Sequence, residues 1–208
     1  MPVVASLPEQ RVVLRNVSWE TYERILEEHA DCSSPRFTYD QGVLEIMSPF
    51  PEHEWYGRLI SDLVKLLARD LRIDVLDWGS TTFKQEAAQR GFEPDSCFYV
   101  TRAGQMRGKK RIDLPGDPPP DIVVEVEITH ASISKFPLCA QMGVPEIWTY
   151  DGSHLQIYGL RGSEFVEMPS SRVLPLEAKQ LSEFLELGKT MSSVAWPDEV
   201  LERFRRSR

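Results

Sequence analysis

At 208 residues, with 41% hydrophobic and 27% charged content, the chain is long enough to bury a full core and has the balance of an ordinary globular domain. Its net charge of −8 disfavours a protein that coats nucleic acid nonspecifically, because neutralising phosphates takes a broad basic surface. No window approaches the length of uninterrupted apolar sequence that a membrane span needs. The three cysteines, Cys32, Cys97 and Cys139, are odd in number and form no CxxC pair, which excludes a disulfide framework or a thiolate zinc site and leaves them as small core residues. The opening MPVVASLPEQRVVLR lacks the basic-then-apolar layout of a secretory signal, so the expected location is the cytoplasm.

In chain order, Ser18 followed by WETYERILEEHA predicts a capped helix with Trp19, Tyr22 and Leu26 as its apolar stripe. RFTYDQGVLEIM reads as a hairpin, Phe37 to Tyr39 and Val43 to Met47, turning through Asp40, Gln41 and Gly42. SPFPEHEW then opens a long helix running to about Leu71, with Trp55, Leu59, Leu63, Leu66 and Leu67 at helical spacing. Strands are expected at Ile73 to Trp78, Ser80 to Gln85, Asp95 to Val100 and Pro120 to Ile128. A short helix around Leu138 to Met142 stops at Gly143. EIWTYD and HLQIYGL form a hairpin at Asp151-Gly152, Phe165 to Met168 adds a third strand, and the tail is one or two amphipathic helices. This order predicts an α/β or α+β fold with a central mixed sheet. One domain is expected over 1–208, with a core at about 18–185 and a helical tail at about 186–208. The loop from Thr101 to Pro119 is long for a compact domain, a length often associated with function or mobility.

The most informative segment is PPPDIVVEVEI, Pro118 to Ile128. Alternation puts Asp121, Val123, Glu125 and Glu127 on one face of the strand and Val124, Val126 and Ile128 on the other. Carboxylates two apart on a face lie about 6.5 to 7 Å from each other, and in a poorly hydrated place they require a cation. An edge strand with one solvated face is the commoner origin of alternation, but the near-continuous β-branched run argues for a central strand covered on both sides. Glu93-Pro94-Asp95 starts another strand with an acid at a sheet end. Alone it is an ordinary corner; beside Glu125, Asp95 would complete an oxygen-ligand site for Mg²⁺, with the Val126 backbone carbonyl as a third ligand. Lys135 falls inward if helical phase extends back to it, and outward if Pro137 delays the helix.

The ordered set of Asp95, Glu125-Val126-Glu127, Lys135 and GVPEIWTYD resembles the "putative restriction endonuclease" domain family of the PD-(D/E)XK nuclease superfamily. The likeness runs from about Ser18 to Leu185 and includes MSPFPEHEW, STTFK, EPDSCFY and PPPDIVVEVEITHASISK. It implies a restriction endonuclease-like mixed sheet flanked by helices, with an N-terminal helix and hairpin. It also implies Asp95 and Glu125 as ligands of Mg²⁺ (or Mn²⁺), Lys135 as the catalytic lysine, and metal-assisted hydrolysis of DNA phosphodiesters, commonly by a homodimer. The superfamily's usual lysine position is occupied here by Glu127, whose role as third ligand, general base or bystander stays open. Glu52 and His53, opening the long helix, are secondary candidates; an acid there also suits the helix dipole. Arg107, Lys109, Lys110 and Arg111 form a basic cluster assigned to DNA backbone contact, although such clusters are more often solvated loops. The competing reading is a catalytically inactive nuclease-fold protein that binds nucleic acid or another protein. Four histidines, including His130, share no zinc-site spacing, and no GxSxG, GxGxxG or GxxxxGK[ST] motif is present.

Overall fold

The apolar strands sort into two sheets in the computed structural model, which describes residues 10–30, 32, 34–114, 116–128 and 132–208. The first is antiparallel and N-terminal, built from β1 (Gln10–Arg15), β2 (Arg36–Asp40), β3 (Val43–Ser48), β5 (Phe83–Gln85) and β6 (Arg90–Phe92) in the order β1-β3-β2-β6-β5. The second contains β4 (Leu76–Asp77), β7 (Ser96–Tyr99), β8 (Ile122–Val126), β9 (Glu146–Tyr150), β10 (Leu155–Arg161) and β11 (Glu164–Met168), ordered β11-β10-β9-β8-β7-β4. Only the β8–β9 pairing is parallel, so this sheet is mixed. The helix α4 (Lys135–Met142) lies between those two strands in the chain and makes the crossover that a parallel pair requires. The fold is therefore mixed α+β.

β8 is central and every one of its residues is buried. Its two faces feed different cores, as the β-branched run demands. Ile122, Val124 and Val126 join a cluster under α2 (Pro51–Asp70), α5 (Ala178–Thr190) and α6 (Ala195–Arg206), while Val123 packs with Cys97, Ile147, Leu138 and Cys139 on the α4 side. The tail helices contribute Phe184, Leu185, Trp196, Val200 and Phe204 to the α2 core. Burial pushes the Cys97 and Cys139 thiols well above the ordinary range, as core residues require, whereas Cys32 is exposed, a correction to its expected place in the core.

Ser18 caps α1 (Trp19–Glu28), its hydroxyl accepting from the Thr21 N–H at 3.2 Å. The buried stripe of α2 runs through His53, Tyr56, Ile60, Leu63, Val64 and Leu67, so Trp55, expected inside, is 41% exposed and Leu66 only half-buried. Neighbouring apolar residues differ by about 100° around a helix, and the packing selected Tyr56 over Trp55. The expected strands at 73–78 and 80–85 shorten to β4 and β5, while β1 and β6 were not anticipated. β6 carries Gly91 and is too short for a periodicity signal. The 101–119 loop is anchored rather than loose. Its short helix α3 (Ala103–Met106) packs Ala103 and Met106 on Tyr99, and the buried Asp121 carboxylate accepts the N–H groups of Val100 (2.7 Å) and Thr101 (2.9 Å).

Gly91 fits beneath α1 because it lacks a Cβ. A Cβ there would strike the Tyr22 hydroxyl and ring edge, and Tyr22 is held by stacking on Tyr39 at 4.7 Å and 10°. Gly91→Ala is expected to destabilise the protein by about 1–3 kcal/mol through overpacking. A lowered urea midpoint at unchanged slope would report it; an unchanged midpoint would show that the ring yields freely.

Candidate active site

Asp95 immediately precedes β7, and the β7–β8 ladder continues through it. Its N–H donates to the Val124 carbonyl at 3.1 Å while its Oδ2 accepts the Val126 N–H at 2.6 Å. The side chain is thereby clamped across the end of β8, beside Glu125. The first residue of α4 is Lys135, placing Pro137 in the first turn, where its missing N–H has no intrahelical role. Lys135 Nζ donates to Glu125 Oε2 at 2.7 Å and to the Glu93 carbonyl at 2.8 Å. The helix starts earlier than apolar spacing alone suggested, and that earlier start turns the ammonium inward.

These groups line a cavity of about 40 Å³, with room for a few waters by that measure. Asp95 and Glu125 are 8% and 6% exposed. Burial pushes the Glu125 carboxyl above its ordinary range; Lys135 is the main opposing influence, followed by Arg36, and Glu127 adds to the rise. Arg36 forms ion pairs with both Asp95 and Glu54. His53, buried at the start of α2, brings Nε2 within 3.5 Å of Asp95 Oδ2. On β3, Glu45 is almost fully buried, bonded by Arg11 at 2.8 Å and by the Ser132 N–H at 2.7 Å. The cavity thus lies where the two sheets approach.

The donor set suits a hard divalent cation. Glu125 Oε1 is buried and accepts no hydrogen bond among the described residues, leaving an anionic oxygen for a positive group to satisfy. Among those residues, no three His, Cys, Asp or Glu side chains form a metal cluster. Two carboxylates with water completing the shell are the usual provision for Mg²⁺, whereas a structural zinc site needs four protein ligands.

A sequence profile of the Uma2 family, described as "Putative restriction endonuclease", matches residues 19–194, a span that contains Asp95, Glu125 and Lys135. This chain belongs to that family. A solved structure described as a putative nuclease belonging to DUF820, from Anabaena variabilis ATCC 29413, aligns over 77% of this Uma2 chain and 98% of its own length, with 17% identity and a TM-score of 0.49. No protein in the comparison with curated proteins matches.

Within this Uma2 site, Asp95, Glu125, Val126 and Lys135 come together as the sequence suggested, and Glu127 is exposed at the rim of the same cavity. His53 lines it too, but Glu52 is exposed and accepts from the Tyr56 hydroxyl at 3.2 Å instead. The basic loop is not part of its lining. All four basic residues are exposed; Arg107 is bound by Asp74 at 2.7 and 2.8 Å and Lys109 pairs with Asp117. His130 lies outside the described residues. Sequence reasoning missed Arg11, Arg36 and Glu45. The signal for Glu45 was present: VLEIM places an acid in an apolar strand, the same conflict that drew attention to Glu125. Glu146 in EIWTY shows that the signal is not specific, since its buried carboxylate is satisfied by Trp148 Nε1 (3.0 Å), the Ser171 hydroxyl (2.7 Å) and the Arg172 N–H (2.7 Å).

Proposed function

We propose that the chain is a Mg²⁺- or Mn²⁺-dependent DNA endonuclease. The observation that carries this reading is the buried Lys135–Glu125 pair beside the clamped Asp95, with Glu125 Oε1 still lacking a donor. Asp95, Glu125 and the Val126 carbonyl would hold the cation, which when bound supplies a water of lowered pKa and polarises the scissile phosphate. The remaining work falls to the chain's own groups. Lys135 offers its ammonium to the phosphoryl oxygens as charge develops there and orients the incoming water. Glu127 at the rim is assigned as proton acceptor, and His53 approaches the same Asp95 oxygen that accepts the Val126 N–H, helping to fix the carboxylate. Arg36 must release Asp95 as the site loads, and Glu54 is placed to retain it. Lys110 and Arg111 contribute outlying contacts to the DNA backbone, and two copies of the chain acting together would cut both strands.

One observation favours the second reading, a catalytically silent nucleic-acid or protein binder: Arg36 and Lys135 already neutralise Asp95 and Glu125. Incubation of the purified protein with supercoiled plasmid and single-stranded circles separates the two. The endonuclease reading expects nicking with Mg²⁺ or Mn²⁺ and none with EDTA, together with calorimetric Mn²⁺ binding that Glu125→Ala weakens by at least about tenfold. Absence of both cleavage and Mn²⁺ binding in the wild type would leave the silent binder standing.

A further inference from the structure

The solvent-facing stripe of α2 is unusual in charge. Trp55, Arg58, Asp62, Lys65 and Arg69 are all exposed, at spacings that place them along one side of the helix. Together with α5 and α6 this stripe lines a cavity of about 670 Å³, whose charged residues are Arg58, Lys65, Arg69 and Lys189 against Asp62. The chain as a whole carries −8, and with Lys189 paired to Glu186 and Lys65 to carboxylates, Arg58 and Arg69 are the two charges that mark a local reversal. Arg58 and Arg69 make no ion pair among the described residues, and Lys65 shares its charge with Asp62 and Asp77 at 3.2 and 3.3 Å.

The groove connects to the site. A neighbouring cavity of about 340 Å³ shares Arg58, Asp62 and Lys65 with it, and shares Arg36 and Asp95 with the catalytic cavity. The shared residues set the three depressions in succession beside α2, with the buried Arg36–Asp95 pair between the site cavity and the middle one, which also takes in Glu54 and Asp77, and with Gly57 against the Asp95 side chain. From Arg58 to Arg69 the helix rises about 16 Å, a length that spans several phosphates of one strand. Trp55, 41% exposed and packed on one side against Tyr56, stands beside the path and offers the remainder of its indole as a stacking surface for a base freed from its partner.

We propose that this path is the track for a single-stranded nucleic-acid segment flanking the scissile phosphate, with Arg58, Lys65 and Arg69 on phosphates and Trp55 on a base. The assignment rests on the nuclease reading for what is cut, but its test does not depend on cleavage. Fluorescence anisotropy of a labelled thymidine oligonucleotide of about 15 residues, in EDTA, reads the binding directly. Arg58→Ala/Lys65→Ala/Arg69→Ala is expected to weaken binding at least about tenfold and to flatten the slope of log K against log salt by about 2, at ~0.7 per single-strand phosphate contact. Trp55→Ala is expected to weaken it by about tenfold. The control Arg24→Ala/Arg161→Ala/Arg172→Ala removes the same charge from exposed positions off the track and should bind like the wild type. Circular dichroism of these surface variants checks that each is folded.

Failure of the wild type to bind, an unchanged slope in the track variant, or equal loss in the control would each overturn the track. A duplex of the same length that competes as well as the single strand would overturn its single-strand assignment. Asp95-dependent cleavage with normal binding by the track variant would remove the track and leave the nuclease. Track-dependent binding without cleavage would do the reverse.

Discussion

Asp95→Asn is expected to leave the fold in place and to lower plasmid cleavage by about 10³-fold or more, the ~4 kcal/mol scale of one lost electrostatic contact to a transition state. Asparagine keeps an oxygen for the Val126 N–H, which Asp95 accepts at 2.6 Å, so the end of β8 stays pinned. What disappears is the negative charge, and with it both the ion pair to Arg36 and the anionic ligand proposed for the cation. Single-turnover nicking of supercoiled plasmid measures the loss; the Arg36 guanidinium, left with Glu54 alone, lowers the urea midpoint, and a cooperative transition well above the assay condition shows that the loss of cleavage is not unfolding. Cleavage by Asp95→Asn at the wild-type rate would sink the assignment of this residue.

Lys135→Met is expected to destabilise the protein by about 3–5 kcal/mol near neutral pH and to abolish cleavage as well. The pair is buried on both sides, with side-chain exposures of 11% for Lys135 and 8% for Glu125, so solvent screens it little. Removing the ammonium strands a carboxylate whose pKa burial already raises, and takes away the largest influence opposing that rise. The folded state then holds a proton that the unfolded state, with an ordinary value of 4.5, releases. Stability of the variant therefore falls as pH increases from about 4.5 through the raised folded value, and the penalty is small near about pH 4. Lys135→Met/Glu125→Gln should recover most of the stability without recovering cleavage, because no buried charge remains unpaired. Urea denaturation near about pH 4 and pH 8 decides the matter: an identical difference from wild type at both would show that Glu125 is not the group left stranded.

Much of the site was legible before folding, for a specific reason. An acid in a β-branched run contradicts its surroundings, and the period of two assigns Glu125 to a face without any knowledge of the partner strands. The Ser18 cap, the Gly143 stop and the Asp151-Gly152 turn were legible for the same reason, since each depends on neighbours a few residues away. Gly143 does adopt a left-handed φ of 74° and closes α4 as expected. The inward turn of Lys135 was only half legible: Pro137 is compatible with a helix that starts before it or at it, and the bonds to Glu93 and Glu125 decide between them. Arg36, Glu45 and Arg11 left weaker traces, because the charge each one answers, Asp95 for Arg36 and the Arg11–Glu45 pair itself, is brought in from another part of the chain. The exposed Trp55 shows the limit of periodicity, as two adjacent aromatic residues offered two possible stripes.

By itself, then, the sequence determined which side chains share a face of a strand, where α1 starts and where α4 stops, and that a carboxylate on the central strand needs a positive partner. These follow from backbone geometry and short-range hydrogen bonding, which act over a few residues. Tertiary structure alone decided who answers that need. It set Lys135 on Glu125, Arg36 on Asp95 and Arg11 on Glu45, drew His53 rather than Glu52 into the cavity, and tied Arg107 and Lys109 to Asp74 and Asp117 away from it. The pairings at the cavity join strands and helices distant in the chain, and their selection rests on the cost of burying an unpaired charge, which exists only once the two sheets have closed over it, whereas Arg107 and Lys109 are themselves exposed.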